Sequence, residues 1–197
     1  MILYSLLIAA GLSSRMGKFK PLLPFHNDPI IISIVKKLLP FSSKVLIVTG
    51  YKEKEIRSAV EKSLPRLVVN DKIILVSNHE YEKGMFTSLR AGLRRAKDCD
   101  WILYHFVDQP QLPQNFYAGF ISQIDNKYDW IQPAHSKRKG HPVLINESLF
   151  NSIVNADENS SLKEVINSKK INKKIWNCNY KEILFDMDTP EDYNMLS

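Results

Sequence analysis

Cysteine is scarce in this chain, and long apolar runs are missing from it. Cys99 and Cys178 are its two cysteines, far apart and without metal-type spacing, so neither a disulfide framework nor a zinc site is predicted. The opening run MILYSLLIAA stops at Gly11 and lacks a basic leading segment, which argues against a membrane span and a targeting signal. We therefore expect a protein of the reducing cytoplasm that has no membrane contact and begins with a buried strand.

Net charge is also modest. The sequence has 27 Lys and Arg against 21 Asp and Glu, a formal charge of +6 that favours an anionic ligand. Its Lys and Arg runs lack interleaved aromatic residues, so a nucleic-acid binder is not predicted. Of the 197 residues, 44% are hydrophobic, which is enough for a sizeable core and excludes disorder. No linker or repeat stands out, and we predict a single domain over residues 1–197.

Short apolar runs alternate with longer amphipathic stretches along most of the chain. This alternation is typical of βαβ units around a mostly parallel sheet and predicts an α/β fold. The runs predict strands at 3–9, 44–49, 73–77, 101–107, 130–133, 174–177 and 183–186. Helical spacing predicts helices at 29–39, 53–64, 87–96, 114–124, 149–154 and 162–167, and a last helix that Thr189 caps and Pro190 begins.

The stretch LIAAGLSSRMGKFKPLL, residues 7–23, joins the first predicted strand to a cationic loop. Backbone N–H groups and cations after a strand suit a phosphate. The two glycines are one residue too far apart for a P-loop, Phe19 follows Lys18 where a P-loop needs Ser or Thr, and Ser13 replaces the second glycine of a dinucleotide fingerprint. The spacing leaves two interpretations: a third kind of phosphate loop, or a surface turn with scattered cations.

This stretch resembles the signature loop, LAAGxSxRMGxxKxLL, of nucleotidyltransferases that join a nucleoside triphosphate to a phosphorylated acceptor. Later segments keep the order of the same family: GMFTSLRAGL at 84–93, VDQP at 107–110, KGHPVL at 139–144 and DMDTPED at 186–192. Within the family, the similarity is greatest to the molybdenum cofactor cytidylyltransferase branch. The resemblance implies a Rossmann-like three-layer nucleotidyltransferase fold and transfer of CMP from CTP to a phosphorylated acceptor, expected to be molybdopterin, with release of pyrophosphate.

The resemblance implies a nucleotide site made by the first loop and by the segment at 84–93. Arg15 and Lys20 fall at the two cationic positions, which hold the triphosphate and neutralise charge at the reacting phosphorus. A Cβ at Ala10 narrows the slot for the base compared with a glycine, which favours CTP over GTP. The residues expected against the base and ribose are Ala9, Ala10, Gly11, Gly84 and Ser88.

Two carboxylates are expected to hold Mg²⁺. Asp108 follows a strand predicted to be central, and ligands bind at the carboxyl edge of such sheets. Mg²⁺ takes one or two carboxylates and completes its shell with water and phosphate oxygens, so Asp108 and Asp188 are the predicted ligands. Asp108 is then catalytic beside Arg15 and Lys20. The alternative interpretations are that Asp108 is a turn residue before Pro110 and that Asp188 is only a residue ahead of a helix cap.

The acceptor is expected at the basic turn that precedes residues 143–145. Lys139 and His141 are the predicted acceptor-binding residues, although a basic turn is also typical of solvated surface. His105 lies inside a predicted strand and is expected in the core or just behind the site. Residues 156–162 read ADENSSL where the branch usually has Gly-Asp-x-Gly-Ala-Arg. This departure leaves a different acceptor open.

Two alternatives therefore stay open. The first keeps the fold and the chemistry but uses GTP or another small phosphate acceptor. The second keeps the fold alone, as a protein that binds the finished molybdenum cofactor and delivers it. Contact with a molybdoenzyme is a further expectation. The presence of Arg15, Lys20, Asp108 and Asp188 together favours catalysis, because a carrier has no need of a metal pair.

Overall fold

A central sheet of eight strands organises the structure, a computed structural model that describes residues 1–157, 159–168 and 170–196. Two further short strands, β2 and β3, form a separate antiparallel pair. The strands are β1 (Leu3–Ile8), β2 (Pro24–Phe25), β3 (Asp28–Pro29), β4 (Lys44–Thr49), β5 (Ile73–Ser77), β6 (Trp101–Phe106), β7 (Trp130–His135), β8 (Arg138–Lys139), β9 (Val143–Asn146) and β10 (Lys173–Asn177).

Most strands of the central sheet run parallel. Their order is β10-β7-β9-β6-β1-β4-β5, and β8 pairs with β7 outside this path. The short strand β9 is antiparallel to both β6 and β7, whereas β1 is parallel to both of its neighbours, β4 and β6. Because β1 and β6 are adjacent and parallel, the loops that follow them leave the sheet at the same edge. The predicted α/β fold with a mostly parallel sheet is confirmed.

Helices cover both faces of this sheet, which makes the structure three-layered as predicted. The helices are α1 (Ile30–Leu38), α2 (Glu53–Ser63), α3 (Pro65–Val69), α4 (Met85–Arg95), α5 (Gln114–Ile121), α6 (Phe150–Val154), α7 (Leu162–Ser168) and α8 (Pro190–Leu196). On β1, Leu7 belongs to a core shared with α1, α2 and α5, while Leu6 belongs to a second core shared with α4, α6 and α7. In the part of the chain that the structure describes, no helix has the length and apolar character that crossing a membrane requires.

One predicted element is wrong. Residues 183–186 were expected to be a strand, but the chain forms a 3₁₀ helix at Lys181–Leu184 and then runs on to α8. Ile183 is buried, which produced the strand-like pattern. The backbone carbonyls of this segment accept hydrogen bonds from the side-chain amides of Gln109 and Gln111 instead of from a neighbouring strand. Side-chain donors thus replace the sheet partner that the pattern implied.

The predicted start of the last helix is confirmed. The hydroxyl group of Thr189 accepts a hydrogen bond from the backbone N–H of Asp192, at 3.2 Å. The Asp192 carboxylate accepts one from the backbone N–H of Thr189 in return, at 2.8 Å. Two backbone donors of the first turn are thereby satisfied reciprocally, as in a capping box. The Asp192 carboxylate also accepts a hydrogen bond from the backbone N–H of Asp188, so this cap fixes the backbone of Asp188 just before the helix.

Candidate active site

The loop after β1 is held in one conformation by its own backbone. Ala9 donates a hydrogen bond to the carbonyl oxygen of Val48, and the carbonyl oxygen of Ala10 accepts one from Tyr51. Ser13 has a φ of 56° and accepts a hydrogen bond from the backbone N–H of Lys20 through its hydroxyl group. The first two contacts tie the start of the loop to β4 and the residues after it, and the third closes the loop between Ser13 and Lys20 at the edge of the sheet.

Three of the predicted site residues form one charged cluster. Nζ of Lys20 lies 3.1 Å from Oδ1 of Asp188, and Nη1 of Arg15 lies 2.9 Å from Oδ2 of the same carboxylate. The Lys20 side chain is 9% exposed, whereas that of Arg15 is 73% exposed. A buried cation is retained in a protein when an anion neutralises it, so Asp188 stabilises Lys20 in this position. Arg15 is the member of the cluster that reaches into solvent.

Asp108 lies next to this cluster, in the loop that follows β6. Its backbone carbonyl accepts a hydrogen bond from Met187, which joins the two segments that bear the carboxylates. Burial raises the pKa of Asp108 to about 6; Lys20 opposes this increase, while Asp186 and Asp188 add to it. Oδ1 of Asp108 is buried and has no hydrogen-bond partner among the described residues. A buried, unpaired carboxylate oxygen beside two other carboxylates is ready to receive a cation or a proton.

A first cavity at this edge has a volume of about 340 Å³. That size is in the usual range for small-molecule sites. Ala9 does not line it, because its backbone continues the sheet behind the loop. The other predicted residues for the nucleotide and the metal all line this cavity: Ala10, Gly11, Arg15, Lys20, Gly84, Ser88, Asp108 and Asp188.

The second cavity has a volume of about 370 Å³, and its wall includes the aromatic rings of Phe86, Tyr104 and Phe106. It shares Met85, Phe106 and Asp108 with the first cavity, so Asp108 lies where the two meet. The other residues that line it are Phe86, Tyr104, His141, Ser161, Leu162, Lys163 and Asp186. The sequence analysis assigned no role to most of these. Alternation along β6 could have pointed to Tyr104 and Phe106, which lie two residues apart on the same side as Asp108.

The two predicted acceptor residues are separated by the structure. His141 lines the second cavity, where burial lowers the pKa of its imidazole and Asp186 acts in the opposite direction. Its ring packs edge-on against Phe106, with centroids 4.9 Å apart. Lys139 lines neither cavity; it belongs to β8, opposite Ala134, and its side chain is exposed. The structure therefore brings His141 to the site and leaves Lys139 outside it.

His105 lies in the core behind Asp108, as expected. Its Nδ1 is 2.8 Å from the carbonyl oxygen of Phe106, and its Nε2 is 2.8 Å from the hydroxyl group of Tyr117. Burial lowers its pKa to about 4, so the ring is neutral at physiological pH. A neutral ring that donates a hydrogen bond through Nδ1 accepts one from the Tyr117 hydroxyl group through Nε2, and both groups are satisfied. His105 supports the end of β6.

The donor set fits a hard divalent cation. Among the described residues, no group of three or more His, Cys, Asp or Glu side chains is arranged to hold a metal ion. Mg²⁺, however, needs only one or two carboxylates and takes its other ligands from water and phosphate. The unpaired Oδ1 of Asp108 meets that requirement, with Asp188 lining the same cavity. The ion pairs of Asp188 with Arg15 and Lys20 would have to rearrange for Asp188 to become a ligand.

Comparison with known proteins decides the family. The model of the MobA-like NTP transferase domain matches residues 5–174. The chain belongs to this family. It is a nucleotidyltransferase, as its motifs predicted, and the matched residues include the loop at 7–23.

Individual relatives agree with this family. The chain is 29% identical to the molybdenum cofactor cytidylyltransferase of Escherichia coli (strain K12), over 95% of this chain and 92% of that protein. It is 24% identical to a probable molybdenum cofactor guanylyltransferase of Bacillus mycoides (strain KBAB4), over 71% of this chain and 64% of that one. The fold is also that of a nucleotidyl transferase from Methanothermobacter thermautotroptrophicus, with a TM-score of 0.77, 20% identity and coverage of 98% and 95% of the two chains.

Proposed function

We propose that this nucleotidyltransferase transfers CMP from CTP to the phosphate group of molybdopterin and releases pyrophosphate, with Mg²⁺ as its metal. The observation that carries the proposal is the position of Asp108 between a cavity with a cationic loop and a cavity with an aromatic wall. A donor and an acceptor bound in these two cavities would meet at this carboxylate. The similarity to the cytidylyltransferase over nearly the whole chain supports the choice of substrates.

The first cavity is the proposed nucleotide site. Lys20, which is buried, and Arg15, which is exposed, are both held by Asp188 and provide the positive charge for the triphosphate. Ala10 is buried in the wall of the cavity, where its methyl group takes space that a purine would need. This steric limit supports CTP over GTP.

Asp108 and Asp188 are the proposed metal ligands. Bound Mg²⁺ would neutralise negative charge on the phosphate oxygens and orient the triphosphate. Asp108 must be ionised for this role, and burial makes its proton harder to lose. Lys20 counteracts that effect, so it supports the ionised form of Asp108 as well as the phosphates.

The transfer itself needs no nucleophile from the protein. An oxygen of the acceptor phosphate attacks the α-phosphorus of CTP; the new P–O bond forms as the bond to pyrophosphate breaks in line. Negative charge accumulates on the phosphoryl and leaving oxygens during this step. Lys20 and Arg15 stabilise that charge from fixed positions, which is the main protein contribution in phosphoryl transfer.

The second cavity is the proposed acceptor site. Tyr104 and Phe106 offer flat apolar surfaces for a pterin ring, and neutral His141 offers a buried Nδ1 that has no hydrogen-bond partner in the part of the chain that the structure describes. Lys163 adds a cation at this cavity in place of Lys139.

We further propose that residues 1–197 are one domain, because β10, late in the chain, joins the sheet that contains β1. A cytoplasmic location and contact with a molybdoenzyme stay predictions.

A different phosphate acceptor is the second candidate, and one observation favours it. Ser161 and Leu162 line the acceptor cavity and belong to the segment 156–162 that departs from the family pattern. A change of residues in the wall of a binding site changes which ligand fits it. The fold, the nucleotide site and the chemistry are the same in both candidates.

Nucleotide-dependent thermal stabilisation tests the donor half of the proposal. CTP with Mg²⁺ is expected to raise the Tm more than GTP, ATP or UTP at equal concentration, because ligands that bind only the folded state stabilise it. Asp125→Ala, which changes a surface carboxylate paired with Lys127, is a control that should retain the response. A larger shift with GTP would contradict the cytidylyl assignment. An absent response to every nucleotide would favour the carrier protein.

A further inference from the structure

The hydroxyl group of Ser88 lines the nucleotide cavity, and a buried amide next to it controls its hydrogen bonding. Ser88 is 2% exposed and Asn78 is 5% exposed. Nδ2 of Asn78 lies 2.9 Å from Oγ of Ser88 and 2.9 Å from Oγ1 of Thr87. Neither the loop motif nor the family resemblance drew attention to Asn78.

The orientation of the Asn78 amide is fixed from its other side. The backbone N–H of Glu80 donates a hydrogen bond to Oδ1 of Asn78 at 3.0 Å. With the amide reversed, its NH₂ group would face that N–H and both donors would lose their acceptor. The NH₂ group therefore points to Thr87 and Ser88, and its two hydrogens serve these two hydroxyl oxygens.

The two hydroxyl groups differ in what they do with their own hydrogens. The Thr87 hydroxyl group has two backbone carbonyl acceptors, that of Gly84 at 2.8 Å and that of Glu80 at 3.0 Å. The hydroxyl hydrogen of Thr87 is therefore used inside the protein. Ser88 accepts from Asn78 and, among the described residues, has no acceptor for its own hydrogen. Because this hydroxyl borders the cavity, its hydrogen is available to a ligand there.

The surrounding backbone holds Asn78 in place. Its N–H donates to the carbonyl oxygen of Thr49 at 2.8 Å, which continues the pairing of β5 with β4. The following segment packs Tyr81 onto Gly50, where any Cβ would come within 2.6 Å of Cβ of Tyr81. Gly84, with a φ of 111°, then turns the chain into α4. Asn78 is therefore fixed before a nucleotide arrives.

We propose that Asn78 is a positioning residue that makes the Ser88 hydroxyl group a hydrogen-bond donor to the base of the nucleotide. This point of the cavity then selects a base with an acceptor atom, and for CTP these acceptors are N3 and the O2 carbonyl of cytosine. The inference rests on the proposed function, because it assumes that a nucleotide occupies this cavity. The base must then carry a hydrogen-bond acceptor at Ser88, in addition to being small enough to fit beside Ala10.

Two CTP analogues of unchanged charge isolate this hydrogen bond. 3-Deazacytidine triphosphate lacks the N3 acceptor, and 2-thiocytidine triphosphate replaces the O2 acceptor with sulfur. Calorimetry of the full-length protein with Mg²⁺ gives the Kd of CTP and of each analogue. We expect the wild-type chain to bind at least one analogue between about 2-fold and 10-fold more weakly than CTP, as for the loss of one neutral hydrogen bond.

Three variants then assign the preference to the two residues. For each analogue, the ratio of its Kd to that of CTP is the quantity compared. In Ser88→Ala this ratio should fall to about 1, because the donor is gone. In Asn78→Asp the carboxylate at position 78 takes the Ser88 hydrogen for itself, and the ratio should fall in the same way. Thr87→Ala removes the other partner of the amide and should keep the wild-type ratio.

The outcomes separate the inference from the proposed function. An Asn78→Asp variant that binds all three nucleotides more weakly but keeps their ratio would reduce Asn78 to a structural residue. If that variant does not fold, the wild-type and Ser88→Ala ratios still decide, since equal binding of CTP and both analogues by wild type overturns the inference. A wild-type chain that binds CTP and both analogues with equal Kd leaves the proposed function intact. A wild-type chain that binds no nucleotide overturns both.

Discussion

Replacing Asp108 by Asn should stabilise the protein while removing its activity. Asp108 is partly buried, its buried Oδ1 has no hydrogen-bond partner among the described residues, and Asp186 and Asp188 lie close to it. The ionised form is therefore disfavoured in the folded state. Asparagine has nearly the same shape and no charge, so Asp108→Asn removes this cost with little change in packing.

The size of the gain follows from the pKa of Asp108, which is about 6 in the folded protein against an ordinary value of 3.8. This difference corresponds to about 3 kcal/mol. Below pH 3.8 the group is protonated in the folded and unfolded states and contributes nothing. Between the two values the folded state holds the proton more tightly, and above pH 6 both states are ionised and the full cost opposes folding. The contribution of Asp108 to stability therefore falls as pH rises from 3.8 to 6.

Urea unfolding of wild type and Asp108→Asn at pH 4.5, 6 and 8 measures this effect. The variant should be more stable by about 3 kcal/mol at pH 8, by nearly as much at pH 6, and by only about 1 kcal/mol at pH 4.5. Asp188→Asn is the matched control; it loses the ion pairs with Arg15 and Lys20 and should show no such gain. A gain of equal size at every pH, or none at pH 8, would refute the electrostatic reasoning. Activity should be lost in Asp108→Asn at every pH.

Two further variants test the rest of the site. Lys20→Met should lower the rate of pyrophosphate release by about 10²- to 10³-fold, because a fixed charge-stabilising donor is lost. The control is Lys18→Met, which changes a lysine that lines neither site cavity and should have little effect on this rate. A Lys20→Met enzyme of normal rate would remove this residue from catalysis. Gly140→Ala should lower the free energy of unfolding by about 1–3 kcal/mol, because the new Cβ would collide with the carbonyl oxygen of Ile183. This oxygen also accepts a hydrogen bond from the backbone N–H of His141. Denaturant unfolding checks this value, and an unchanged midpoint would show that the 3₁₀ segment can move away.

The sequence was sufficient for elements whose residues carry a strong periodic pattern. The strands at 44–49 and 73–77 were predicted with their observed bounds, because apolar β-branched residues fill both. Thr189 and Pro190 marked the last helix by local chemistry alone. By contrast, the two-residue strands β2 and β3 and the short helix α3 are too brief for any periodicity to appear, and they were not predicted.

The site was only partly accessible from the sequence. Family motifs identified Arg15, Lys20, Asp108 and Asp188, and these residues converge on one cavity in the structure. Lys139 lines neither cavity, and a basic run shows charge but not the direction in which each side chain of a hairpin points. The role proposed for Asn78 depends on a hydrogen bond to Ser88, ten residues later, and no local pattern encodes that contact.

The most direct test of the central claim is pyrophosphate release by the purified protein in the presence of Mg²⁺, CTP and molybdopterin. We expect release that requires molybdopterin, is faster with CTP than with GTP, and is lost in Asp108→Asn while that variant stays folded. Release with GTP in preference to CTP, or full activity of Asp108→Asn, would contradict the central claim.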